Sequence, residues 1–397
     1  MSGSRARRRA GGTARRSGPS VALSVAALLA VSAVGCVSTP GPSQQPQGAD
    51  TGLAKQVQCA NDDQDSALLN ATIQSSAAGA DIAIFGTCSL TEPVELRGGR
   101  SYHGPGRDGA VLRQAGGANL PYLLASDSFV DSADTTGRPV TLRGLSLDGN
   151  REENAGSTTD GIVVRSWQAG LEDLRIRDFS GSGIRITNIG EGGEPTSGTQ
   201  VNGRIANNFI DDSGVSGVYV EDGGNAVTDW QLLDNWIAGS EGNAIHLENA
   251  AGWMVSRNHL YGVGGDGIRA NRAHGTTISD NYIEGFGEGA AGDWRGISVS
   301  AQGSAGSTIV GNRVFMVKGQ QPGSTYRYIH VDSKGDGAAL VAVSANVVRG
   351  DGSPEGVGLS YTKGDGGGLA VASSGNAVAE VATTLDVGDG VTVGAGS

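Results

Sequence analysis

The feature that most limits the fold is an asparagine followed by any residue and then an apolar one, returning at Asn208, Asn235, Asn258, Asn281, Asn312, Asn346 and Asn376. The intervals are 27, 23, 23, 31, 34 and 30 residues. A second element keeps step with it: Gly161-Ile162, Gly183-Ile184, Gly217-Val218, Ala244-Ile245, Gly267-Ile268, Gly296-Ile297, Tyr328-Ile329 and Gly356-Val357. A period that tolerates insertions marks a solenoid, because each turn stacks only on its neighbours. One phrase therefore reads as one coil: strand, turn, strand, an Asn-bearing bend, strand, and a loop onward. Inward Ile, Leu and Val would build an apolar stack that no single coil could bury. The asparagines tolerate left-handed backbone and are expected to hydrogen-bond the backbone and their equivalents in adjacent coils.

Composition agrees. The 67 glycines in 397 residues are about 17 per cent, against a usual ~7 per cent. With no Gly-x-y period and only 11 prolines, this suits short strands joined by tight turns. "DDQDSALLNATIQSSAAGA" is the exception, predicting a helix with Leu68, Ala71, Thr72 and Ser75 along one face. "DIAIFGTCSL" and "EPVELRGG" follow as strands, and no second helix of any length is expected.

The first 35 residues read as an export signal: six arginines without an acid, then the short apolar run Val21–Gly35. It ends in "AVGC", which resembles a bacterial lipobox with Cys36 as the lipidated residue, although Ala33 stands where Leu is usual. Residues 36–56, rich in Pro, Gln, Ser and Gly, would be a flexible tether, and residues 57–397 the folded domain. The expected location is the outer face of the bacterial cytoplasmic membrane, with the lipid as the only membrane contact. Cys59 and Cys88 remain, and outside the cell such a pair favours a disulfide, stabilising by ~3 to 4 kcal/mol. Loss of the signal takes the net charge from −12 to about −18, which argues against nucleic acid as a partner.

"DDQDSALLNATIQSSAAGADIAIFGTCSLTEPVELRGGRSYHGPGRDGAVLRQ", together with the later Asn repeats, resembles the pectate-lyase superfamily. The resemblance covers Val57 to the C-terminus. It implies an all-β, single right-handed parallel β-helix with a short N-terminal capping helix. It also implies a poly- or oligosaccharide as partner, although one fold of this kind serves many activities.

In a strand alternate side chains face outward. The third and fifth positions of each Gly-Ile strand gather Arg185, Tyr219, Glu221, His246, Glu248 and Arg269 on adjacent coils. Glu221 and Glu248 suit the acid and nucleophile of a retaining glycosidase, whose carboxyl groups stand ~5 to 5.5 Å apart. His246 and Arg269 would orient substrate or stabilise charge, and Asp266 is a further acid at the edge. His330 and Asp332 continue the face, and the insertions before Gly296 and Tyr328 bring Trp294, Arg295, Tyr326 and Arg327 toward it as sugar contacts. An outward sheet also carries charge merely to stay solvated. Polygalacturonase motifs match only in pieces ("TTDG", "DDSG", "RAHG"), and nonapeptide calcium repeats, zinc motifs and a Gly-x-Ser-x-Gly elbow are missing.

The leading expectation is cleavage or rearrangement of glycosidic bonds by a glycosidase-type mechanism, by a monomer with no metal or other cofactor. The alternatives are a polysaccharide lyase based on Arg185 or Arg269, working with calcium or another neutralising partner, and a non-catalytic glycan-binding surface protein.

Overall fold

The computed structural model describes residues 53–394, apart from residues 197, 318, 320, 336 and 366. The expected export signal, Cys36 and most of the tether lie outside the described residues. Strand structure begins at Ala54, in the strand Ala54–Gln58, so the last residues assigned to the tether belong to the fold.

Each coil gives one strand to each of three parallel sheets. In one coil these are Gln231–Leu233, Trp236–Ala238 and Asn243–Leu247. Each pairs with its counterpart a coil further on: Leu232 with Val255, Ile237 with Leu260, and Ile245 with Ile268. The third sheet contains eleven strands among the described residues. Parallel connections of this kind are right-handed almost without exception, and the chain is a right-handed parallel β-helix.

The asparagines join the coils at the bend between the first and second sheets. The backbone N–H and Nδ2 of Asn235 both donate to Asn258 Oδ1, at 3.0 and 2.9 Å. Nδ2 donates as well to the carbonyl of Ile205 in the preceding coil. The same bonds run from Asn208 to Asn376. Left-handed backbone falls one residue earlier than expected: Asn207, Asp234, Arg257, Asp280, Gly311, Ala345 and Gly375 have φ between 54° and 72°. The ladder residue itself is thereby aimed inward.

Inside the three sheets runs a continuous apolar core that includes Ile184, Ile186, Val218, Val220, Ile245, Leu247, Ile268 and Ile297. The stacked indoles of Trp230 and Trp253, 5.8 Å apart, lie within it. At the N-terminal end the core is covered by α1 (Asp65–Ser75), which buries Leu69 and Ile73 while Leu68 faces solvent. The expected helical face was therefore one residue out of place. Cys59 and Cys88 form a disulfide beside this cap. Two short helical turns also interrupt the strands, α2 (Asp127–Val130) and a 3₁₀ turn at Arg151–Asn154.

One strand is out of register with the sequence expectation. Ile329 pairs with Leu359 rather than Val357, so the residues continuing the outward rows are Ser360 and Thr362. On the second sheet Phe209, Trp236, His259 and Tyr282 stack outward with centroids 6.2, 4.0 and 4.4 Å apart. His259 thus serves packing.

The ladder predicts the stability of single variants. Asn258→Ala removes the partner of the Asn235 backbone N–H, of one N–H of its side-chain amide and of the Leu232 carbonyl, all buried. Denaturant unfolding should show a loss of about 3 kcal/mol or more. Asn376→Ala, at the partly exposed end of the ladder, should cost clearly less.

Candidate functional site

The third sheet turns two rows of side chains outward. The first runs Val163, Arg185, Tyr219, His246, Arg269 and Ser298 on successive strands. Beside it runs Thr187 and then Glu221. The backbone bond from Glu248 N to Val220 O carries this row on to Glu248. The juxtaposition expected from the repeat is present.

The two carboxylates do not act as a pair. Glu221 turns back one coil, where its Oε2 accepts from Arg185 Nε at 3.1 Å and from Thr187 Oγ1 at 2.9 Å. Arg185 also reaches Asp160 at 3.4 Å, which leaves its charge fully countered. Glu248 turns the other way. Its Oε1 is 2.9 Å from His246 Nε2, out of line for a regular hydrogen bond, and its Oε2 accepts from Asn271 at 3.3 Å.

Tyr219 and His246 stand side by side, with ring centroids 5.3 Å apart and a 40° tilt. The Tyr219 hydroxyl makes no hydrogen bond to a described residue. Burial, then the charges of Glu221 and Glu248, push its pKa above the usual phenol value, so the proton is retained. Burial lowers the His246 pKa, the Glu248 charge works against that, and Arg269 adds to it. A neutral imidazole accepts a proton and a neutral phenol gives one. Arg269, the next residue of the row, is exposed and has no carboxylate partner among the described residues.

Other expected contacts are placed differently. Tyr326 is fully buried, packs on Phe286 and donates to Gly287 O at 2.9 Å, so it is a core residue rather than a sugar contact. Trp294 folds back on its own loop and donates to Ala290 O at 3.0 Å. Arg295 and Arg327 both pair with Asp293. Asp266 is 2 % exposed; burial raises its pKa and its Oδ1 accepts from Arg295 N. His330 is buried, 3.2 Å from Ser360 Oγ and 3.7 Å from Asp332.

Among the described residues no three His, Cys, Asp or Glu side chains are placed to hold a metal ion. The carboxylates of this face point apart and do not form the oxygen cage calcium requires.

The sequence reading placed Thr187 and Asn271 on this face but gave them no role, and it missed Asp160, which with them holds the charged residues, and α2, which covers part of the face. One signal was legible: Val163, an apolar residue at an outward position, marks a coil that something covers.

A family model described as a right-handed β-helix region matches residues 160–391. A search of curated proteins finds no match. Among solved structures, the Azotobacter vinelandii mannuronan C-5 epimerase AlgE4 A-module is similar at TM-score 0.58 and 15% identity, over 86% of this chain and 100% of that one. The AlgE6 A-module of the same organism gives 0.55 and 16%, over 85% and 97%. The Streptococcus pneumoniae surface protein and adhesin PfbA gives 0.54 and 11%, over 84% and 98%. At these identities the likeness is one of fold.

The electrostatics of His246 can be tested directly. By NMR its pKa should lie below the ordinary ~6.5. Glu248→Gln removes a charge that raises it and should move it lower still, whereas Arg269→Ala should move it up.

Proposed function

The chain belongs to the right-handed β-helix family, and from that premise we propose that it acts on an acidic polysaccharide, cleaving a uronate polymer by β-elimination on its third sheet. The observation that carries the reading is the exposed, unpaired Arg269 next to a neutral His246 and a protonated Tyr219. An anionic sugar carboxylate is the complement such an arginine lacks. The names of two fold neighbours, mannuronan C-5 epimerases, support a uronate polymer as substrate class.

In this mechanism Arg269 pairs with the carboxylate at C5 and stabilises the negative charge that develops there. His246 takes the C5 proton. The electrons of the C5–H bond form the C4–C5 double bond, and the C4–O4 bond breaks. Tyr219 gives its proton to O4, and the imidazolium then returns a proton to the phenolate. Epimerisation would need the second proton delivered from the opposite side of the sugar. Tyr219 and His246 rise from the same sheet surface with no room for a ring between them, which favours elimination. Glu221 and Glu248 hold Arg185 and His246 in place, leaving the glycosidase roles unfilled.

The signal-like residues 1–35 and the "AVGC" sequence support export and lipid attachment at Cys36 as part of the same proposal.

The test is incubation of the purified protein with α- and β-linked polyuronates and neutral glucans, following unsaturated product and reducing ends separately. Unsaturated product from a polyuronate is expected, with the rate falling by about 10² to 10⁴ in His246→Ala and strongly in Arg269→Ala. Reducing ends without unsaturation, lost in Glu221→Gln or Glu248→Gln, would replace this reading with a glycosidase. Binding without product would make the chain a glycan-binding protein.

A further inference from the structure

We propose that the site takes its polymer by one end, stopped by a fixed wall at the N-terminal side of the face, and releases fragments of one or two sugars. The inference rests on the elimination reading above.

The wall is α2 with the chain that follows it. On the coils before Arg185 the outward residues Ala125 and Val163 are fully buried, covered by Phe129 of α2 together with Tyr122 and Val130. Phe129 meets the Tyr122 ring edge-on at 5.5 Å. The cover reaches one coil further, where the Arg185 guanidinium lies 5.9 Å from the Phe129 ring, and Tyr219 is on the coil after that.

A lid poised to open would be lightly held, and this segment is not. Arg165, buried and without a carboxylate at ion-pair distance, donates to Ser128 O at 2.7 Å and to Ala133 O at 2.6 Å. Asp127 accepts from Gly98 N at 2.8 Å. A second loop braces the first: Glu191 N donates to Phe129 O, Tyr122 OH to Glu191 Oε1, and Thr196 Oγ1 to Asp134 O, all at 2.8 to 2.9 Å. Satisfied backbone on every side makes the wall part of the scaffold.

Coils stack ~4.8 Å apart. From Arg185 to a point between Tyr219 and His246 is one and a half coils, or roughly 7 Å along the axis. That admits one sugar, or two at a slant, between the wall and the bond that breaks. In the other direction Arg269, Asn271, Ser298 and Ser300 are polar and at least partly exposed. The remaining polymer runs out over them.

The full protein would be given a long polyuronate, and viscosity and product length would be measured from the first few per cent of reaction. The expected result is immediate monomer and dimer with little loss of viscosity. Rapid thinning with mixed product lengths would overturn the end-on arrangement while leaving elimination intact. No unsaturated product from any polyuronate would overturn both. Phe129→Ala and, separately, Arg165→Met loosen the wall without touching Tyr219, His246 or Arg269. Either should add products of three or more sugars, with the far-ultraviolet spectrum showing that the β-helix persists. Folded, active variants that still release only monomer and dimer would show that the wall does not set product length.

Discussion

Everything in this molecule depends on register, and register is held by the asparagine ladder. A strand moved by one residue exchanges its inward and outward faces. A solenoid of short strands would be prone to such slips, since many of its strands are only three residues long. Each ladder amide meets the coil before and the coil after with fixed geometry, and its neighbour in left-handed backbone leaves little freedom in where the bend falls. The rows of the third sheet are aligned because the bends are aligned. Arg185, Tyr219, His246 and Arg269 are separated by 34, 27 and 23 residues in the chain, yet they fall on neighbouring strands.

This is why the fold and the central row could be read from the sequence while other parts could not. Repetition exposes what recurs. Asn235, Asn258 and Asn281 announce their coil, and counting from Ile245 or Ile268 finds His246 and Arg269. The same rule fails where two choices fit the pattern equally. "EGVGLS" contains Gly356-Val357 and Gly358-Leu359, two residues apart, and a period of two cannot choose between them; pairing with Ile329 selected Leu359. α2 and the 188–196 loop occur once, so nothing in the period points to them. The contacts between the two span 60 residues and more, as between Ser132 and Gly192, and are set by tertiary packing. Trp294 and Tyr326 were misplaced for a related reason. An aromatic residue in an insertion looks free to meet a ligand, but here each is needed to hold its own loop to the core.

The face is built by pairing charges rather than by accumulating them. Asp160, Arg185 and Glu221 form a closed group, with Thr187 satisfying the remaining contact. Asp293 serves both Arg295 and Arg327. Glu248 leans toward His246 and Asn271. Such pairs fix side chains in place at little net energy when partly exposed, and what they contribute is orientation. Against this background the exposed Arg269 stands apart from Arg185, Arg295 and Arg327, each of which has a carboxylate partner.

Under the proposed elimination, Arg269 also reconciles an acidic protein with an acidic ligand. With a net charge of −12, the protein repels a polyanion at long range. Salt screens exposed charges beyond ~8 Å at physiological ionic strength, so the repulsion fades across the distance over which a polymer approaches. The attraction of Arg269 acts at contact, where screening is weakest. A face on which Arg185, Arg295 and Arg327 are paired with carboxylates then offers Arg269 as a point of electrostatic preference, next to Tyr219 and His246. In the proposed elimination the polymer would be selected at the sugar whose carboxylate must be neutralised for C5 to lose its proton, and binding and chemistry would draw on the same arginine.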